Sequence, residues 1–216
     1  MNAEMKTEIL SVNDSRSMIR ALELLNQGEV IALPTDTVYG IATDGFNANA
    51  IEKLFIAKDR PSHKAIMLLI GDYSDLEKIA TFISPSAQRL AQHFWPGGLT
   101  LVVNARDELP VNLRADTNTI GARLPNSELV RELARALGRP LAATSANRSG
   151  GANPRTAQDV LNDLDGKIAM ILDGGATPGK LASTVLDCTI EPPRVLRAGA
   201  IGVNEIENVL GAALTS

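Results

Sequence analysis

The chain has 216 residues, 44% hydrophobic and 21% charged, with a formal net charge of -4. These proportions exclude a disordered chain, a collagen and a coiled coil. They set the expectation of one α/β domain over residues 1–216, with its core at about 15–200. The acidic balance argues against charge-driven binding of nucleic acid, because phosphate neutralisation needs a basic face, and it leaves room only for a local basic patch. The one cysteine, Cys188, cannot close an intrachain disulfide, which fits a reducing, cytoplasmic setting. The opening residues lack the apolar core of a signal peptide, and the run Ala65 to Ile70 is far too short to span a bilayer.

In chain order, Asp14 and Ser15 ahead of Ile19, Leu22 and Leu25, with Gly28 behind, predict a capped amphipathic helix. A buried strand follows at Val30 to Leu33. A helix over Ala50 to Ala57 ends where Lys58-Asp59-Arg60 meets Pro61. Ala65 to Ile70 reads as a strand, and the capping-box spacing of Ser74 and Glu77 predicts a helix from Asp75 to about Ala80. Next come a helix from Pro85 to Phe94, strands at Leu99 to Val103 and Asn118 to Arg123, a helix from Glu128 to Leu137 closed by Gly138, and a strand at Leu141 to Thr144. The remainder reads as helix Thr156 to Leu164, strands Ile168 to Leu172, Thr184 to Cys188 and Val195 to Arg197, and a helix over Asn204 to Leu210. The alternation implies helices packed on a sheet, and the short connections between the late strands imply some antiparallel pairing, hence a mixed sheet.

Gly174 to Lys180 has the glycine and lysine spacing of a P-loop, yet Leu181 stands where a magnesium-binding hydroxyl is needed and Pro178 removes a backbone donor. It reads as a glycine turn. His93, on a mostly apolar helix, reads as a packing residue, and His63 as a solvated residue of a basic loop; neither has a partner at metal-ligand spacing. The chemistry is carried by polar loops behind buried strands, where α/β sheets hold ligands. Pro34 to Gly40 offers the hydroxyls of Thr35, Thr37 and Tyr39, and Asp36. Lys58 to Lys64 offers three cations, and Thr144 to Gly151 offers Ser145, Asn147, Arg148 and Ser149. Together these donors suit phosphate and carboxylate. Taken singly, each loop is equally well explained as turn and cap residues.

The order Pro34-Thr-Asp-Thr-Val-Tyr-Gly40, the K-x-R motif Lys58-Asp59-Arg60 followed by Lys64, Trp95-Pro96-Gly97, Arg123, the S-x-N motif Ser145-Ala146-Asn147, Ser183-Thr184-Val185 and Arg197-Ala198-Gly199 resembles the YrdC-like threonylcarbamoyl-AMP synthases over nearly the whole length. The resemblance implies a twisted, mostly open mixed sheet flanked by helices, with a concave, positively charged ligand face. It implies an enzyme, a nucleotidyltransferase, that joins L-threonine, bicarbonate and ATP into threonylcarbamoyl-AMP and pyrophosphate for threonylcarbamoyladenosine in tRNA. By motif, Arg60, Lys64, Thr119, Ser145, Asn153 and Arg197 would contact ATP. Thr37, Leu69, Arg123, Ala143 and Ser183 would hold threonine, and Lys58, Arg60, Ser145 and Asn147 would form the catalytic set. Family members often carry other residues at the positions of Leu69 and Asn153, so backbone contact or proximity is implied there.

Nucleotidyl transfer rests on orientation and on cations that neutralise spreading charge, which fits a sequence with no Ser-His-Asp or Cys-His constellation. Lys58, Arg60 and Lys64 are the expected neutralising cations, and Lys58 and Arg60 are expected to lie in a loop. Mg2+ is expected with ATP, held through phosphates and water without a protein-held site. Asp36 is the nearest carboxylate, but capping its own turn is its plainer role. Partners implied beyond the substrates are proteins that later transfer the threonylcarbamoyl group to tRNA and, on a basic face, tRNA or double-stranded RNA itself; no membrane is expected.

Overall fold

The computed structural model describes residues 6–61, 64–115, 117–179 and 181–215. The elements are β1 (Glu8–Ser11), α1 (Ser17–Asn26), β2 (Ile31–Leu33), β3 (Gly40–Asp44), α2 (Ala48–Ala57), β4 (Met67–Leu69), α3 (Leu76–Ile79), β5 (Ala80–Phe82), α4 (Pro85–Phe94), β6 (Leu99–Ala105), β7 (Thr119–Arg123), α5 (Glu128–Leu137), β8 (Leu141–Ser145), α6 (Ala157–Leu164), β9 (Met170–Asp173), β10 (Thr184–Asp187), β11 (Arg194–Arg197) and α7 (Val203–Leu210). Helices α4 and α5 fall where the sequence places them. For α4, Ser84 Oγ caps the first turn by accepting from Ala87 N at 3.2 Å. Pro85 follows at a position where its missing N–H costs nothing. For α5, Gly138 closes the last turn in the left-handed conformation, with φ at 74°, as glycine commonly does.

Three strands escape the pattern reading, each for a physical reason. β1 is a four-residue edge strand that alternates between half-buried and exposed. β3 is buried throughout although it contains Gly40, Thr43 and Asp44, because Thr43 Oγ1 donates to Glu29 O at 2.9 Å and Asp44 meets Arg139 at 3.0 Å. β5 is three residues long and pairs with the far end of β6. Two caps also differ from expectation. Asp14 does not cap α1; its carboxylate binds the Arg16 amide and guanidinium instead. The capping interaction near residue 75 is made by Asp75, which accepts from Gly71 N and Asp72 N, so a 3-10 turn precedes a helix of only four residues.

Among the described residues eleven strands join one open mixed sheet in the order β1-β9-β2-β3-β8-β4-β7-β6-β10-β11, with β5 beside β6. Parallel pairs (β1/β9, β9/β2, β4/β7, β6/β10) are interleaved with antiparallel ones. One face packs on α2, α4, α6 and α7 through residues such as Leu54, Leu90, Val160 and Ile206. The other face is covered by α1 and α5 through Leu25, Leu133 and Leu137, packed on Ile31, Leu141 and Met170. That second cover stops at β4. On the strands beyond it the same face is open, and the site lies along that border, lined by residues of β3, β8, β4 and β7 and of the loops after β2 and before β10. Among the described residues no helix is long and apolar enough to cross a membrane.

Candidate functional site

The register of the sheet assembles the site. Met67 lies opposite Ala143, Leu69 opposite Arg123, and Val185 opposite Thr100, so residues remote in sequence share the open face. Leu69, Arg123, Ala143, Ser145, Ser183 and Arg197 line one cavity, together with Thr35, Val38, Gly40 and Met67.

The loop from Pro34 to Gly40 is wound around one hydroxyl. Thr35 Oγ1 donates to Val38 O at 2.7 Å and accepts from the amides of Thr37 and Val38. The Thr37 hydroxyl lies 3.0 Å from that same Thr35 oxygen and accepts from Arg123 Nη1 at 2.9 Å. Arg123 is 3% exposed. Its Nε donates to Gly97 O at 2.8 Å, and its Nη2 meets Asp36 Oδ1 at 2.6 Å. Asp36 is therefore the counter-ion of a buried arginine, not the cap of its own turn. Tyr39 is likewise taken up structurally: its hydroxyl donates to Gly175 O and accepts from Gly174 N. The described part of the P-loop-like stretch is a brace. A Cβ at Gly179 would stand 2.4 Å from Thr37 O, so only glycine lets this segment lie against the threonine loop.

On the opposite wall, Arg197 grips Ser183, with Nη2 2.8 Å from its carbonyl oxygen and 3.0 Å from its hydroxyl. The Ser183 hydroxyl also lies 2.8 Å from Thr100 Oγ1. Thr100 and Met67 belong to the site although no motif marks them; the available signal was a hydroxyl at Thr100 inside the otherwise apolar run Leu99 to Val103.

The two paired motifs meet at Ser145. Lys58 is not a loop residue but the C-cap of α2, and it is 1% exposed. Its ammonium donates to the Ser145 carbonyl and lies 3.5 Å from Ser145 Oγ, which donates to Asn147 Oδ1 at 2.5 Å. Burial, reinforced by the charge of Arg60, pulls the Lys58 amine down to about 7, because a low-dielectric setting disfavours the charged form. Arg60 is half-buried and donates to the carbonyls of Lys64 and Ala65. Burial lowers the guanidinium of Arg60 from its ordinary value, and the charge of Arg197 adds to this. Burial and the charge of Arg123 do the same to Arg197, while at Arg123 burial outweighs the opposing Asp36. Arg123 and Arg197 thus bring positive charge to opposite walls, with Lys58 behind Ser145, Arg60 within the field of Arg197 and the Asp36 carboxylate paired to Arg123, an arrangement that favours an anionic ligand.

Of the remaining expected residues, Lys64 is exposed and contributes its carbonyl to Arg60. Thr119 begins β7 and Arg123 ends it, so the strand holds the two apart. Asn153 is exposed in the loop before α6 and lines a separate hollow with Arg148, Arg155 and Asp159. His93 is exposed, edge-on to Phe94, rather than packed inside. His63 and Lys180 lie outside the described residues.

The family model Sua5/yciO/yrdC, described as telomere recombination, matches residues 23–199. The chain belongs to this family. It is 41% identical over 206 residues to the threonylcarbamoyl-AMP synthase of Bacillus subtilis, covering 95% of this chain and 59% of that protein. It is 35% identical to a putative threonylcarbamoyl-AMP synthase of Mycobacterium tuberculosis, covering 94% of this chain and 93% of that one. The crystal structure of P. abyssi Sua5 complexed with L-threonine superposes with a TM-score of 0.90 at 36% identity, over 97% of this chain and 61% of that chain. The chain thus spans about three fifths of the length of the Bacillus and P. abyssi proteins. The open mixed sheet with flanking helices is the fold of that solved relative.

Proposed function

We propose that the protein condenses L-threonine, bicarbonate and ATP into threonylcarbamoyl-AMP, releasing pyrophosphate, and that the adenylate serves threonylcarbamoyladenosine formation in tRNA. One observation carries the reading: Arg123 and Arg197 line a small cavity with apolar walls, beside hydroxyls already oriented by their own partners, with Lys58 bonded to the lining residue Ser145 and Arg60 within the field of Arg197. The threonine-bound relative supports an amino acid in that cavity.

Threonine lies among Thr37, Leu69, Arg123, Ala143 and Ser183. Its amine and bicarbonate give the carbamate and water. The carbamate oxygen then bonds to the α-phosphorus of ATP as the bond to the bridging oxygen breaks, and pyrophosphate leaves with that electron pair. Lys58, Arg60 and Arg197 face the phosphates, with Ser145 and Asn147 holding Lys58 and the loop beside it. The protein supplies orientation and fixed positive charge, the two terms that dominate phosphoryl and nucleotidyl transfer. Mg2+ would be held through the ATP phosphates and water, and would add charge neutralisation there. The carboxylate of Asp36 is engaged by Arg123, which lines the cavity. The test is pyrophosphate release with threonine and bicarbonate omitted in turn, with mass detection of the adenylate. Release that needs both substrates supports the reading, and release indifferent to either ends it.

A further inference from the structure

The K-x-R motif is the end of a helix, and its middle residue sets the geometry of the two outer ones. α2 stops at Ala57 with Lys58 still helical (φ -94°, ψ -6°), and Asp59 then enters the left-handed region at φ 51°. The Asp59 amide returns to Ile56 O at 3.1 Å and the Arg60 amide to Phe55 O at 3.0 Å, the two bonds of a Schellman closure. A left-handed residue at that position reverses the chain. Lys58, before the reversal, points inward to Ser145, and its carbonyl receives the Ser149 amide at 3.3 Å. Arg60, after it, folds back beside residues 64 and 65, within the field of Arg197.

Glycine is the usual residue at this position, and aspartate and asparagine are the side chains that tolerate it best. Of the two residues with side chains found at positive φ among the described residues, Asp59 is the one inside a motif. Its carboxylate is otherwise lightly used, meeting Lys167 at 3.2 Å with 75% of the side chain exposed. A pair so exposed carries little energetic weight.

We infer that Asp59 is a positioning residue: its left-handed backbone, not its charge, brings Lys58 and Arg60 onto the same ligand. The inference rests on the proposed reading that these cations face ATP, and it is tested so that the two can fail separately. Four variants are compared, Asp59→Gly, Asp59→Asn, Asp59→Val and Lys167→Ala, by calorimetric binding of ATP and of L-threonine and by titration of the 13C-labelled Lys58 side chain in NMR.

Asp59→Gly, Asp59→Asn and Lys167→Ala are expected to bind ATP within about twofold of the wild type and to keep the low Lys58 midpoint. Asp59→Val, whose branched side chain resists the left-handed region, is expected to bind ATP about tenfold more weakly, the loss of one charge-assisted contact, with threonine binding unchanged. Its Lys58 midpoint should return towards the ordinary lysine range. Should Asp59→Val not fold, Asp59→Ala is expected to show the same split in smaller measure. A valine or alanine variant with wild-type ATP affinity and Lys58 titration overturns the inference, as does an Asp59→Gly variant as impaired as Asp59→Val. If the wild type binds no ATP, the proposed function fails, while the Lys58 titrations still decide the role of Asp59.

Discussion

Replacing Lys58 by methionine should stabilise the fold while abolishing the reaction. The side chain is 1% exposed, and the amine sits at about 7 against an ordinary 10.5 because burial disfavours its charge. The unfolded chain therefore binds a proton that the folded chain refuses between those two values. Each pH unit of that gap is worth about 1.4 kcal/mol, so below pH 7 the buried ammonium costs on the order of 5 kcal/mol, and the cost shrinks as pH rises towards 10.5. Methionine fills nearly the same volume without the charge, but it leaves the Ser145 carbonyl without its donor, a loss of about 1–3 kcal/mol. The net gain at pH 6 is then about 2–4 kcal/mol, or roughly 4–16 °C in Tm for a chain of this size. Between pH 6 and pH 9 the advantage of the variant should narrow by about 3 kcal/mol. Paired calorimetric melts at the two pH values, with pyrophosphate release assayed alongside, measure both halves. A methionine variant that melts below the wild type by the same margin at both pH values would refute the desolvation argument.

Binding of ATP phosphates should restore the charge on Lys58, so ATP affinity should fall as pH rises through 7, and binding at pH 8 should take up close to one proton. Calorimetry in buffers of different ionisation enthalpy reads this uptake, which should vanish in Lys58→Met. Asp36 is the carboxylate paired with buried Arg123. Asp36→Ala strands that cation in the interior and should cost about 3 kcal/mol, or about 6–12 °C in Tm; Asp36→Asn, which keeps an acceptor, should lose less. An unchanged melt for Asp36→Ala would mean that the ion pair contributes nothing. Gly179→Ala drives a methyl into Thr37 O and should weaken threonine binding more than ATP binding, measured by separate titrations.

The fold was legible wherever hydrophobic period and caps agreed, as in α4 and α5, and illegible where tertiary partners stood in for local signals. β3 looks like loop in sequence because Thr43 and Asp44 are polar; in the structure Glu29 O and Arg139 satisfy them, and a strand can then be buried. The site shows the same division. Its motifs could be read off the chain, but not the roles within them. Asp36 is a counter-ion and Tyr39 a clamp on residues 174 and 175, while Thr100 enters without a motif, since hydrogen bonds between distant strands leave no local pattern. Lys58 reads as a loop cation because Pro61 follows so closely; the helix ends one residue before the lysine, and its last turn carries the side chain inward.

A chain of net charge -4 proposed to take a polyanion presents an apparent contradiction, and the arrangement of its charges resolves it. Of the ion pairs among the described residues, Arg123–Asp36 belongs to the cavity wall. Others lie outside it, on helices and at strand ends, as at Arg20, Lys53, Arg135 and Arg194. The cations left at the site are held by neutral groups: Arg197 by Ser183, Arg60 by the carbonyls of residues 64 and 65, and Lys58 by Ser145. Neutral partners fix a cation in place without cancelling its charge, so the field at the cavity remains positive while the rest of the surface is acidic. That division also separates specific from unspecific recognition. A phosphate reaching the cavity meets several oriented donors, and one approaching elsewhere meets a repulsive surface.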